Sequence, residues 1–304
     1  MENTKKLNRI RILIFLVITF ALTCGYCFLV IYPMSSGETL TGIPAMATQL
    51  LVAAGMFCPA LGVLITRLIT GEGFRDCWLK PNLKKNIRFY LLAWFGPAVL
   101  TVAGCVLYFL LFPDKLDLSF SYFTATLEAT GAPVETLPMP IGVLMLVQCV
   151  QAIFLAPILN FVTCFGEEWG WRGYLLPKMK EQLPTLPMLL VNGIIWGLWH
   201  APLTVIGHNY GVGYPGFPYA GIAMMCLFCT VLGVFLSYIT LKTGSCIPAV
   251  LSHGAINGFA AIGIYFTKDG GNPFIGPAPT GIIGLIPFLI VAMVMAIRLN
   301  KKEN

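Results

Sequence analysis

IGVLMLVQCVQAIFLAPILNFVTCF, residues 141–165, runs directly into GEEWGWR, residues 166–172. The first stretch meets the requirement of about 20 predominantly apolar residues for a membrane-spanning helix. The second sets Glu167, Glu168 and Arg172 against its end. A charge at membrane depth is unfavourable by a few kcal/mol on insertion scales, and such groups usually face a bundle interior and mark function. Away from the edges of the other apolar segments the histidines His200 and His253 stand out as the groups that can carry charge. These two Glu, one Arg and two His organise the reading of everything else.

Working outward, the whole chain is membrane-like. Of its 304 residues 57% are hydrophobic and only 11% charged, and the mean hydropathy is +0.81. A soluble domain carries about 25% charged residues. The fold expected is an all-α, polytopic integral membrane helical bundle forming a single domain over residues 1–304, with a motif-bearing core at 141–266. The net charge of +6 does not indicate nucleic acid, because the basic residues sit between apolar runs as topology signals. The ten cysteines lie mostly inside apolar runs. The C-x-x-C pairs Cys24/Cys27 and Cys226/Cys229 lack polar neighbours and read as small buried apolar residues. The first apolar run is too long for a signal peptide and has no small-residue cleavage site, so it reads as a retained span.

Eight runs are long enough to cross: Ile12–Tyr32, Ile43–Leu68, Ile87–Phe112, Ile141–Phe165, Pro187–Ile206, Tyr219–Leu241, Ile247–Phe266 and Thr280–Ile297. Of the 19 lysines and arginines, all but Lys115 and Lys268 fall in the two tails or on alternate connections. The opposite connections hold acids such as Asp114, Asp117, Glu128 and Glu135. By the positive-inside rule both termini are cytoplasmic, which requires an even number of spans. No internal repeat is evident and no soluble segment is large enough to be a catalytic domain. Any chemistry must come from the spans.

Three segments carry polar groups at helical spacing. Glu168 and Arg172 are four apart, share a face and can pair, while Glu167 points about 100° away. One carboxylate can thus be neutralised while the other stays available. Trp196 and His200 are four apart in the fifth run, and His253 and Asn257 share a face in the seventh. Each pair alone could be polar glue between helices. Together they offer groups of catalytic type from three helices to one bundle. His208 follows the fifth run and reads as a loop residue. A carboxylate with an imidazole can take a proton from water. Two imidazoles and a carboxylate (Glu167, His200, His253) could instead hold zinc and lower the pKa of its bound water to about 7. An amide or imidazole N–H can donate to a tetrahedral oxyanion. Both routes point to hydrolysis of an amide. H-E-x-x-H, G-x-S-x-G and a membrane aspartate pair are absent from the sequence.

In this order and placement the motifs resemble the CPBP family of CAAX proteases and bacteriocin-processing (Abi) intramembrane proteases, and through it the type II CaaX prenyl endopeptidase. The family pattern E-E-x-x-x-R, F-x-x-x-H, H-x-x-x-N corresponds to Glu167-Glu168-x-x-x-Arg172, Trp196-x-x-x-His200 and His253-x-x-x-Asn257. Trp196 departs from the usual Phe but keeps an aromatic wall. Flanking residues Trp171-Arg172-Gly173-Tyr174-Leu175 and His200-Ala201-Pro202 fit as well. The resemblance covers about Ile141 to Phe266. It implies eight spans around a cavity open to the cytoplasm. It also implies that Glu167 and His200 activate water, that His253 and Asn257 stabilise the oxyanion, and that Glu168 and Arg172 support them. The family is described both as metal-dependent and as a glutamate-type protease, so zinc stays open here. The partners implied are the lipid bilayer and a peptide or membrane-associated protein substrate, prenylated in some relatives. Short loops and compact tails suggest a microbial cell membrane.

Two other functions compete. A proton-coupled transporter would need polar groups along a whole path, and a non-catalytic scaffold would be expected to have lost a motif group. One difficulty concerns depth. By residue count Glu167 lies near the cytoplasmic edge, His253 slightly inside it, and His200 about 18–20 Å along its run. The site closes only if the fourth helix continues towards Tyr174, with Pro177 ending it nearby, or if the fifth starts below the membrane edge.

Overall fold

The computed structural model describes residues 2–35, 45–129 and 137–301. Glu135 and Lys302 of the charge pattern, and the first residues of the second run, lie outside these. Among the described residues the chain is helical, with only isolated bridges, Leu116 to Thr267 and Asn272 to Gly276, in place of strands. In order the helices are α1 (Glu2–Tyr26), continued by a wide π turn (Cys27–Ile31) into α2 (Tyr32–Ser35), α3 (Ala45–Gly55), α4 (Cys58–Ile69), α5 (Leu83–Leu111), α6 (Ser121–Ala129), α7 (Ile141–Phe154), α8 (Ala156–Leu159) and α9 (Phe161–Glu168). A second π turn, Trp169–Leu175, leads into α10 (Leu176–Lys180). Then come α11 (Thr185–Trp199), α12 (Ala201–Val205), α13 (Tyr219–Thr243), α14 (Ile247–Phe259) and α15 (Ile282–Asn300).

Among the described residues six helical stretches are long and apolar enough to cross a membrane, including Lys5–Met34, Leu83–Leu111 and Tyr219–Thr243. The fourth and fifth runs, which carry the Glu-Glu and His200 motifs, are instead interrupted. Their apolar helices Ile141–Phe154 and Thr185–Trp199 are shorter. Proline explains the interruptions, since it removes an N–H and its ring clashes with the preceding turn. Pro157 follows the break at Leu155 and Pro202 follows the break at His200. Broken helices are tolerated in a membrane where neighbouring protein covers the freed backbone. Many leucines, valines and isoleucines on the uninterrupted helices, such as Leu13, Val99 and Leu110, are exposed. That is the surface a multi-pass membrane protein presents to lipid.

The core is built where α11 meets α13. Gly193 and Gly197 face it one turn apart, and a Cβ on either would overlap the α13 backbone at Thr230 and Cys226 respectively. Only hydrogen at these positions lets the two backbones meet. Trp171, Trp196 and Trp199 fill the interior beside them.

Bonds between connections show which helix ends share a side. Asn8 donates to Glu181 at 2.6 Å and Asn82 donates to the Thr243 carbonyl at 3.0 Å. At the opposite end Lys115 pairs with Asp269 at 3.0 Å and Tyr210 donates to the Thr280 carbonyl at 3.1 Å. Each bond joins connections that the charge pattern places together. At the basic end Glu72 accepts from Tyr174 at 3.0 Å and from Lys178, with Arg11 and Arg67 at 3.6 and 3.8 Å. Burial raises the Glu72 carboxyl, but the Lys178 bond and charge and the Arg67 charge outweigh it and hold it below its ordinary value.

The depth difficulty resolves from both sides. The fourth helix runs beyond Arg172 through the π turn to Lys180. Pro177 does not end it, because the wide turn upstream changes the hydrogen-bond register before the proline, which sits in the first turn of α10. The fifth helix starts alongside α10, with Asn192 Nδ2 reaching Met179 Sδ at 3.9 Å.

Candidate active site

Adjacent residues at the end of α9 divide the two carboxylates. Glu168 turns into the protein, where its Oε1 accepts from Arg172 Nη1 at 3.1 Å and from His253 Nδ1 at 2.9 Å. Glu168 and Arg172 are both 0% exposed. The Arg172 guanidinium lies 4.1 Å from the centre of the Trp196 ring, a cation–π contact whose value rises with desolvation. Glu167 turns the other way, and its Oε2 accepts from Trp196 Nε1 at 2.9 Å. Glu167 lines a cavity of about 620 Å³; Glu168 and Arg172 do not. The α-helical spacing foresaw this division.

The imidazoles are oriented by what their Nδ1 atoms meet. His200 Nδ1 is 2.9 Å from the Trp196 carbonyl. A carbonyl only accepts, so the proton sits on Nδ1 and Nε2 carries a lone pair. His253 Nδ1 likewise donates to the Glu168 carboxylate. Among the described residues neither Nε2 has a hydrogen-bond partner, and both rings line the cavity. Trp196 packs edge-on to both, at 5.8 Å from His200 and 5.4 Å from His253. It is therefore more than an aromatic wall, since its N–H also orients Glu167. Trp199 ties this helix to α1 by donating to Thr23 at 2.6 Å. Asn257 lines the same cavity, with Nδ2 3.6 Å from Cys164 Sγ.

The structure thus brings Glu167, His200, His253 and Asn257 to one cavity, with Glu168 and Arg172 behind it and Trp196 between. As ligands for zinc, Glu167, His200 and His253 fit less well. No three His, Cys, Asp or Glu side chains among the described residues are grouped closely enough to hold a metal.

Several lining residues escaped the sequence reading. His208 and Asn209 sit in the turn after α12, yet both face the cavity. The signal in the sequence was a His-Asn pair beside an apolar run; in the structure Asn209 has φ 67°. Asn160, at the break before α9, also lines the cavity and donates to the Gly254 carbonyl at 3.1 Å. Cys229, read as inert, has Sγ 3.7 Å from His200 Nδ1; all ten cysteines are free. The direction of the cavity differs from expectation. Its lining includes His208, Asn209 and Thr280 from the acidic end and none of residues 70–82, 169–184 or 244–246 from the basic end. Towards the basic end Trp171, Tyr174 and Leu175, which follow Glu167 in the chain, are all buried.

Fold and site together define a polytopic helical membrane protein whose ionisable groups converge on an internal cavity. Residues 149–259 match the family described as type II CAAX prenyl endopeptidase Rce1-like. The chain is similar to CAAX prenyl protease 2 of Methanococcus maripaludis, with 31% identity over 94 residues. The alignment covers 30% of this chain and 34% of that relative, so the chain spans about a third of the relative's length.

Proposed function

We propose that this protein is a CAAX-type intramembrane endopeptidase, which hydrolyses a peptide bond in a membrane-associated substrate. The observation that carries the reading is the division of the two carboxylates. Glu167 faces the cavity with the Nε2 lone pair of His200, while Glu168 neutralises Arg172 and fixes His253 from behind. In this reading Glu167 and His200 take a proton from water as its oxygen bonds to the scissile carbonyl carbon. Asn257 Nδ2–H and a protonated His253, donating through Nε2 while Nδ1 stays with Glu168, stabilise the oxyanion. Collapse breaks the C–N bond, and the proton passes from His200 to the departing amine. The matched relative's name supports a prenylated CAAX substrate. No step needs a metal.

The test is cleavage of quenched peptides by purified protein in detergent, with and without a farnesylated Cys near the C-terminus. Glu167→Ala and His200→Ala should each abolish turnover, a loss in the 10²–10⁴-fold range of general acid–base groups. Cleavage surviving both substitutions would refute the assignment. A proton-relay transporter predicts instead that these variants lose solute or proton flux.

A further inference from the structure

Two polar contacts, one helical turn apart, join α9 to α14. Asn160, which caps α9, donates through Nδ2 to the Gly254 carbonyl at 3.1 Å. Four residues on, Cys164 Sγ accepts from Asn257 Nδ2 at 3.6 Å. Residues four apart share a helix face, as do residues three apart, so the first contact sets the register of the second. The backbones must be close for this. A Cβ at Gly254 would lie 3.1 Å from the Pro157 carbonyl oxygen and 3.3 Å from Asn160 Cβ.

The two partners of the second contact are placed differently. Cys164 is 0% exposed and is not among the residues lining the catalytic cavity. Asn257 is exposed and lines it. Among the described residues the Cys164 sulfur is the one hydrogen-bond partner of the Asn257 amide. The terminal torsion of an asparagine is broad, so an exposed amide without a partner rotates freely. An oxyanion donor has to be held in place before the reaction. The amide nitrogen carries two hydrogens. Donating one to sulfur, a weak acceptor, leaves the other for the cavity.

We propose that Cys164 is a positioning residue for the hydrolysis, its sulfur holding the Asn257 amide so that the second Nδ2–H is kept for the oxyanion. This rests on the protease reading above. Glu167 follows Cys164 by three residues on α9. One short helix thereby places both the carboxylate that activates water and the donor that receives the oxyanion.

The experiment is peptide cleavage in detergent by wild type, Cys164→Ala, Asn257→Ala and the double variant. Removing an oxyanion donor lowers kcat by about 10²–10³-fold. Cys164→Ala keeps the donor but frees it, and should lower kcat by about tenfold with KM changed less than about twofold. In the Asn257→Ala background the same substitution should lower kcat no further, because the amide it acts through is gone. Cys164→Ser, which keeps an acceptor, should recover part of the turnover. Losses that multiply in the double variant would show a merely structural role and overturn the proposal, as would undiminished kcat in Cys164→Ala. Wild type that cleaves no peptide would refute the protease reading and the positioning role with it. The contact itself is read separately by infrared spectroscopy. The Cys164 S–H stretching band, taken as the difference between each protein and its Cys164→Ala counterpart, should shift when Asn257 is replaced by alanine. An unmoved band would overturn the contact whatever the kinetics.

Discussion

Replacing Glu168 by alanine should harm the protein mainly by stranding Arg172. The guanidinium is fully buried, and its one hydrogen bond among the described residues is to Glu168 Oε1 at 3.1 Å. Removing one partner of a buried ion pair is destabilising by about 3–5 kcal/mol, because a charge is left uncompensated. Loss of the acceptor for His253 Nδ1 adds about 1.5–3 kcal/mol. Removing the arginine as well should recover the first contribution and not the second. Glu168→Ala/Arg172→Met is therefore expected to be more stable than Glu168→Ala by about 3–5 kcal/mol, the part due to the stranded charge. Catalysis should not recover with it, because His253 has still lost the carboxylate that orients its ring. The measurement is a double-mutant cycle by SDS-induced unfolding in mixed micelles, with peptide cleavage followed on the same four proteins. Additive destabilisation by the two substitutions would refute the idea that Glu168 neutralises Arg172. Recovery of turnover in the double variant would refute its role in orienting His253.

Other outcomes follow from other parts of the molecule. Because Glu167, His200 and His253 do not gather as a ligand set, a chelator should leave turnover unchanged, and inhibition that added zinc reverses would show a metal-dependent route. The Glu72 carboxyl is held below its ordinary value, so its contribution to stability is fully present above the ordinary carboxylate range and is lost as pH falls towards the folded-state value. Thermal midpoints between pH 3 and 6 should show this fall in wild type and a flatter profile in Glu72→Gln. Gly197→Val would drive a side chain into Cys226 on α13, and overpacking of this kind typically destabilises by about 1–3 kcal/mol; unchanged SDS stability would contradict the close approach. His208 lines the cavity, and its ring makes no hydrogen bond among the described residues. His208→Ala should therefore raise KM more than it lowers kcat, and a fall in kcat alone would place it in the chemistry instead.

Much of this was legible along the chain because the bilayer acts as a harsh solvent. A charge is so unfavourable in lipid that Glu167, Glu168, Arg172, His200 and His253 stood out against the apolar background. Spacing of four put Glu168 with Arg172, as found. The charge alternation paired the connections that Lys115–Asp269 and Asn82–Thr243 then joined. Less legible was the continuity of the spans. Hydropathy counts residues and does not see that Pro157 and Pro202 interrupt the two helices carrying the motifs. Nor does it register that a π turn lets the fourth helix pass Pro177.

By itself the sequence determined an all-α membrane bundle, the sidedness of its connections and which polar residues must be turned inward. Those properties follow from transfer free energies and helical period, which act on each segment separately. Only the tertiary structure decided that Glu167 takes its hydrogen bond from Trp196, that Glu168 is shared by Arg172 and His253, and that His208 and Asn160 line the same cavity. It also decided that the lining extends towards the acidic end. These depend on how far each helix slides along its neighbours. That is set by glycine contacts such as Gly197 on Cys226 and by the break at His200, where the approach of two backbones fixes which side chains meet.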